Sequence, residues 1–206
     1  MVMLYLDIET LGTSIKDKII AIGVSTVNGV RKIWKEWELG EKSVVEQFYE
    51  FLESLNPKEQ TVWVIGFNIL KFDIPLLIHK AMEFNMDVAK CFELWHDCFI
   101  EDERLVLLPL NDFRFGCLSA ENVYKAIKGV LRKEIERGEV RIREIKHNSN
   151  EIPKFYGEGR YDEIIEHLSS DLDFLEDLHY ILKFKFDVLM SKKEEFRRIL
   201  CQSSTQ

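Results

Sequence analysis

The sequence predicts an α/β domain built on a mixed five-stranded sheet, an antiparallel meander plus parallel strands, flanked by helices. Three observations predict it. Apolar runs of strand length stand at 4–8, 19–24 and 62–67, and apolar residues at 3.6-residue spacing fill 44–55 and 164–182. The turn pair Asn28-Gly29 joins the second and third strands as a hairpin. A whole helix separates the third strand from the fourth, long enough for a crossover that lays the fourth parallel to the first.

With 206 residues, 46% of them hydrophobic, the chain can bury a sizeable core as one domain over 1–206, with a basic elaboration at about 125–150. No apolar run approaches the roughly 20 residues of a membrane span, and the N-terminus lacks the basic-then-apolar layout of a signal peptide. A soluble, cytoplasmic protein is expected. Cys91, Cys98, Cys117 and Cys201 are scattered without C-x-x-C spacing, which argues against a zinc site and a disulfide framework and for reduced thiols. Net charge is -8 and pI about 5.3, so no global basic field advertises nucleic acid. A polyanionic substrate would need a local basic surface or bound metal.

The first strand carries Leu4-Tyr5-Leu6-Asp7-Ile8-Glu9, an apolar run interrupted by two acids. Alternation sends Asp7 and Glu9 to one face and Leu6 and Ile8 to the other, so two anions sit side by side. A solvated edge strand tolerates that; a buried strand needs a cation between them. Ile19 to Val24 reads as a strand covered on both faces, and Ile33, Lys35, Trp37 and Leu39 alternate with Trp34, Glu36 and Glu38 as a half-buried third strand. Ser43, with Glu46 three residues on, is the expected cap of a helix that Asn56-Pro57 stops. Val62 to Phe67 is the fourth strand. It leads into a helix from Ile74 to about Asn85, with Asp73 as N-cap and Pro75 in the first turn. Asp73 alone is a cap. At the C-terminal end of a parallel strand, where open sheets place their ligands, it also joins Asp7 and Glu9.

Phe99, Leu105 to Leu108 and Leu110 are the material for a fifth strand, and Ser119 starts a helix through Ala126. Residues 125–146 carry a local excess of about four positive charges, with Val140, Ile142 and Ile145 beside Arg141 and Arg143 suggesting a short strand after Gly138. Such a run is either a solvated face or a grip for phosphates. The last long helix begins after Gly159 with a leucine stripe, and His167 and Asp171, four apart, share one of its faces. As an isolated pair they form a structural hydrogen bond. Residues 192–200 suit a final amphipathic helix, and 201–206 a frayed end.

Gathered by one sheet, these carboxylates can hold two magnesium or manganese ions, which prefer oxygen ligands and can clamp the attacking and leaving oxygens of a phosphodiester. His167 is then the candidate proton acceptor for the attacking water. The motifs resemble those of the DEDD (DnaQ-like) 3′–5′ exonuclease superfamily, which has an RNase H-like fold. Its first motif, D-x-E-T-x-G, is matched by "DIETLG" at 7–12, and its second by "GFNILKFDIP" at 66–75, with Phe67 where a His often stands. Its third is approached by "HLSSD", where His167 lies four residues before Asp171, a hybrid of the spacings of two subclasses. The resemblance covers about residues 1–185. It implies Asp7, Glu9, Asp73 and Asp171 as ligands of two Mg2+ or Mn2+ ions and His167 as base. It also implies Thr10 and Leu11 at the terminal sugar and base, Asn68 as a hydrogen-bonding group and Phe72 as a stacking surface. Arg141 and Arg143 are the expected grip on a single-stranded tail. The function implied is 3′–5′ hydrolysis of single-stranded DNA to nucleoside 5′-monophosphates. The alternatives are an RNA-directed member of the superfamily and a non-catalytic binding or assembly module. The alternation at 140–145 also offers an edge for a homo-oligomer.

Overall fold

The computed structural model describes residues 1–27 and 29–202. In chain order the elements are β1 (Val2–Thr10), β2 (Ile19–Thr26), β3 (Arg31–Lys35), α1 (Glu36–Leu39), α2 (Glu41–Ser54), β4 (Val62–Gly66), α3 (Asp73–Glu83), α4 (Val88–His96) and β5 (Phe99–Asp102). They continue with α5 (Glu103–Val106), α6 (Ala120–Val130), α7 (Arg132–Glu136), α8 (Ile152–Gly157), α9 (Tyr161–Ser191) and α10 (Lys193–Gln202). No helix among the described residues is long and apolar enough to cross a membrane.

The chain divides into two compact units, Met1–Asp102 with Lys146–Leu172, and Glu103–Ile145 with Asp173–Gln206. The first holds the sheet, in the order β3-β2-β1-β4-β5. β1 and β2 pair antiparallel, as do β2 and β3, whereas β4 runs parallel to both β1 and β5. This is the mixed sheet the sequence predicts. β1 is central because it is apolar enough to be covered on both sides, and β2 is buried at every position but its last. One face packs Leu4, Leu6, Ile22, Val64 and Leu76 with Phe48, Trp34 and Trp95 into the main core. A smaller cluster joins Ile20 to Ile152, Phe155 and Ile164.

Asp7 pairs across the ladder with Gly23, and Glu9 with Ala21, so the acids share their face with residues that have little or no side chain. A Cβ at Gly23 would lie 3.0 Å from the Leu168 and Leu172 side chains. The missing side chain lets the first part of α9 settle directly over β2, which brings His167 and Asp171 up to β1.

Several boundaries differ from the sequence reading. β3 ends at Lys35, because 36–39 close into the turn α1, whose end the Gly40 amide caps on Glu36 O at 2.7 Å. The next helix starts at Glu41 behind Gly40, whose φ of +80° suits glycine, and Ser43 lies within its first turn. Asn28 of the expected hairpin turn lies outside the described residues, as do residues 203–206. The fifth strand is Phe99–Asp102 alone; Glu103–Val106 and Leu108–Asn111 are helical, the latter with Pro109 in its first turn.

In the second unit, residues 140–145 form no strand: the Arg143 amide donates to Asp177 Oδ2 at 2.7 Å rather than to a neighbouring strand. Cys117 and Cys201 form a disulfide across 84 residues of sequence, against the expectation of four reduced thiols. The bridge ties α10 to the turn that precedes α6. Cys91 and Cys98 are free and buried.

Candidate metal centre

Asp7, Glu9, Asp73, His167 and Asp171 all belong to the first unit and arrive from three separate stretches of chain. β1 supplies the first two. Glu9 is 6% exposed, next to a register shift between Glu9 and Thr10 that ends the regular ladder.

Asp73 comes from the turn after β4. Gly66 is required there, since a Cβ would lie 2.6 Å from Ile69 Cβ. Asn68 then takes φ +65°, which asparagine tolerates, and its carbonyl accepts from the Lys71 and Phe72 amides. Asp102, at the end of β5, accepts from the amides of Asn68 at 2.9 Å and Leu70 at 3.2 Å and pins the turn. α3 therefore opens at Asp73 itself, with Phe72 as its N-cap, and the Asp73 side chain is buried in the first turn instead of capping. Asp102 is a positioning residue that the sequence reading missed. The sequence carries no local signal for it, because its partners Asn68 and Leu70 lie more than 30 residues earlier.

From α9 come His167, 1% exposed, and Asp171. The His167 Nδ1–H donates to Lys146 O at 2.6 Å, because a carbonyl can only accept. Ser170 holds that segment in place: its hydroxyl donates to His167 O and accepts from the Lys146 amide, each at 2.8 Å. The other ring nitrogen, Nε2, lies 3.4 Å from Asp171 Oδ2 and 3.7 Å from Glu9 Oε1.

The carboxyls bear on one another electrostatically. Burial, then the charges of Asp7, Asp171 and Asp73, push the Glu9 carboxyl well above its ordinary range. Burial chiefly, and then Asp7, raise Asp73. Burial raises Asp7 to about 6, against a smaller opposing effect of the Ile8 backbone hydrogen bond. Glu9 Oε1 is buried without a hydrogen-bond partner among the described residues, a costly state for a carboxylate. Glu9, His167 and Asp171 present ligand atoms within 4.8 Å of one another. An oxygen-rich, over-charged hollow with an orphaned carboxylate oxygen fits a divalent cation.

A cavity of about 560 Å3 adjoins this hollow, lined by Glu9, Thr10, Asn68, Lys71, Phe72 and Asn150 among others. Thr10, Asn68 and Phe72 are thus on its wall. Leu11 is partly buried and packs against the Ile20 and Ile152 cluster, and its amide donates to Lys18 O at 3.0 Å.

The basic segment is a different matter. Arg143 donates to Asp173, Glu176 and both carboxylate oxygens of Asp177, at 2.6 to 2.9 Å. These donors are committed to acids within its own unit. Arg141 bonds Asp177 and keeps a side chain that is 68% exposed.

A family model described as the RNase H superfamily matches residues 4–179. Among solved structures, the chain is similar to the family B DNA polymerase of the hyperthermophilic archaeon Pyrobaculum calidifontis, with 14% identity and a TM-score of 0.58. That likeness covers 97% of this chain and 27% of the polymerase. It is also similar to E. coli exonuclease I in a zinc-bound complex with single-stranded DNA, at 13% identity and a TM-score of 0.40, over 99% of this chain and 43% of that one. No curated protein matches the chain. The chain spans about a quarter of the polymerase and less than half of exonuclease I, and identities this low speak to the fold alone. The five-stranded mixed sheet, together with a family match that runs from β1 well into α9, places this chain in the RNase H superfamily.

Proposed function

We propose that this chain is a metal-dependent 3′–5′ exonuclease of the DEDD kind, releasing nucleoside 5′-monophosphates from the 3′ end of single-stranded DNA. The observation that carries the reading is the Glu9 carboxyl, buried and within electrostatic range of Asp7, Asp73 and Asp171. Four acids from a strand, a strand-to-helix turn and a late helix have no packing reason to meet. In this reading they hold a pair of divalent cations, Mg2+ or Mn2+. Such ions, once bound, supply Lewis acidity and neutralise charge on the attacking and leaving oxygens of a phosphodiester.

The chain's own residues position the strand. Phe72 offers a ring at the cavity wall for a base to stack on, and Asn68 and Thr10 offer polar groups to the terminal nucleotide. Lys71, exposed at the same wall, places a positive charge where a phosphate would enter. Asp102 fixes the turn that carries Asn68, Phe72 and Asp73, so that stacking and cation binding share one rigid support.

The test is hydrolysis of end-labelled single strands with Mg2+ or Mn2+. The reading predicts stepwise shortening of 5′-labelled DNA, immediate mononucleotide release from 3′-labelled DNA, slower action on RNA and complete inhibition by a chelator. Absence of hydrolysis with either ion would reject it, and faster cleavage of RNA would transfer it to the RNA-directed members of the superfamily.

A further inference from the structure

The His167 ring is held in one tautomer and one orientation. Its Nδ1–H is spent on the Lys146 carbonyl, which leaves the lone pair of Nε2 as the only group the neutral ring can offer. That lone pair is buried and faces two carboxylate oxygens, at 3.4 Å on Asp171 and 3.7 Å on Glu9. Nε2 and the two carboxylate oxygens present ligand atoms within 4.8 Å of one another, a set that one cation can take up. Of the two oxygens, Glu9 Oε1 has no hydrogen-bond partner among the described residues.

We propose that His167 is a ligand of the cation that Glu9 and Asp171 hold, so that one of the two cation positions of the proposed exonuclease site has a nitrogen donor. The inference rests on the metal-dependent reading of the site and deepens it. Two donors of one ion, each about 2.1 Å from it, stand about 3.0 to 3.4 Å apart, close to the spacings seen. Donation of the second ring N–H to a backbone carbonyl is the usual support of a metal-bound histidine, since it fixes the ring and raises the basicity of the ligating nitrogen. The four-residue interval in "HLSSD" gives the arrangement its cause. One turn of α9 stacks His167 over Asp171, turning both side chains to the same ion.

The consequence is selectivity. Mg2+ favours oxygen donors throughout, whereas imidazole suits Mn2+, Co2+ and Zn2+ progressively better. The position served by His167 therefore prefers Mn2+ to Mg2+, while the position served by Asp7 and Asp73 takes either.

The test uses the metal-free full chain with less than one equivalent of Mn2+ and no nucleic acid, read by pulsed electron paramagnetic resonance. The expected result is a 14N coupling from a directly bound imidazole in the wild-type protein. Folded His167→Gln should lose that coupling and bind Mn2+ at least about tenfold more weakly, with a smaller change for Mg2+. Because the wild-type spectrum is informative alone, misfolding of the variant would not remove the test. Bound Mn2+ without nitrogen coupling, or coupling that persists in folded His167→Gln, would overturn the ligand assignment while leaving the exonuclease reading intact. Failure of the wild-type chain to bind Mn2+ would overturn both.

Discussion

Two carboxylate clusters draw on the same helix, α9, and differ in what balances them. In the second unit, Asp173, Glu176 and Asp177 close around the Arg143 guanidinium. Burial alone would lower the proton affinity of that guanidinium, and the hydrogen bonds and charges of Asp177, Glu176 and Asp173 more than reverse the effect. In the first unit, burial and the charges of Asp7, Asp171 and Asp73 drive the Glu9 carboxyl toward protonation. The first kind of cluster is complete as folded. The other brings together ligand atoms of Glu9, His167 and Asp171 that could hold a metal ion. The contrast teaches that a buried acid is informative about function only after its counter-charge has been sought.

The contrast can be broken in both directions. The largest effect is expected from Asp7→Asn, which should abolish hydrolysis yet stabilise the metal-free protein. A carboxyl raised from 3.8 to about 6 in the folded state favours folding below the unfolded value and loses that contribution as pH rises through about 6. The difference corresponds to about 3 kcal/mol. Thermal melts should accordingly show the variant gaining on the metal-free wild type between about pH 4 and pH 7, by several degrees at the upper end. Equal melting temperatures at neutral pH would mean that the charge at residue 7 is already balanced.

Arg143→Met should do the reverse. Three acids lose their shared cation, and denaturant unfolding should show a loss of about 3 kcal/mol with cation affinity unchanged. A loss under about 0.5 kcal/mol would place this cluster among weak surface pairs. The smallest effect is expected at Asp102. Asp102→Ala frees two amides of the turn and should lower hydrolysis roughly tenfold, with Asp102→Asn, which keeps one acceptor, in between. Identical rates for all three would remove its positioning role.

Much of the site was legible because strand alternation is rigid. Two acids at spacing two on an apolar strand must share a face, whatever the tertiary structure. The parallel β4 was equally legible, since a helix of crossover length precedes it. What the sequence could not reveal depends on partners distant along the chain. Val140 to Ile145 alternate like a strand, yet strand pairing needs a neighbour, and the backbone there is claimed by Asp177. Arg143 read as a free cation because its three acids lie 30 or more residues further on. Cys117 and Cys201 showed no spacing signal because their pairing is set by the packing of α6 with α10. The packing of Leu11 against the Ile20 and Ile152 cluster was not legible because loops lack the periodicity that fixes orientation in strands.

Calorimetric titration of the metal-free chain with Mn2+, beside Glu9→Gln, addresses the account most directly. The raised carboxyls predict saturable binding that releases protons, with more released near pH 6 than near pH 8, and a loss of most of that binding when residue 9 can no longer ionise. Binding of equal affinity and proton release in Glu9→Gln, or no binding by the wild-type chain, would contradict the claim that these acids are gathered to hold cations.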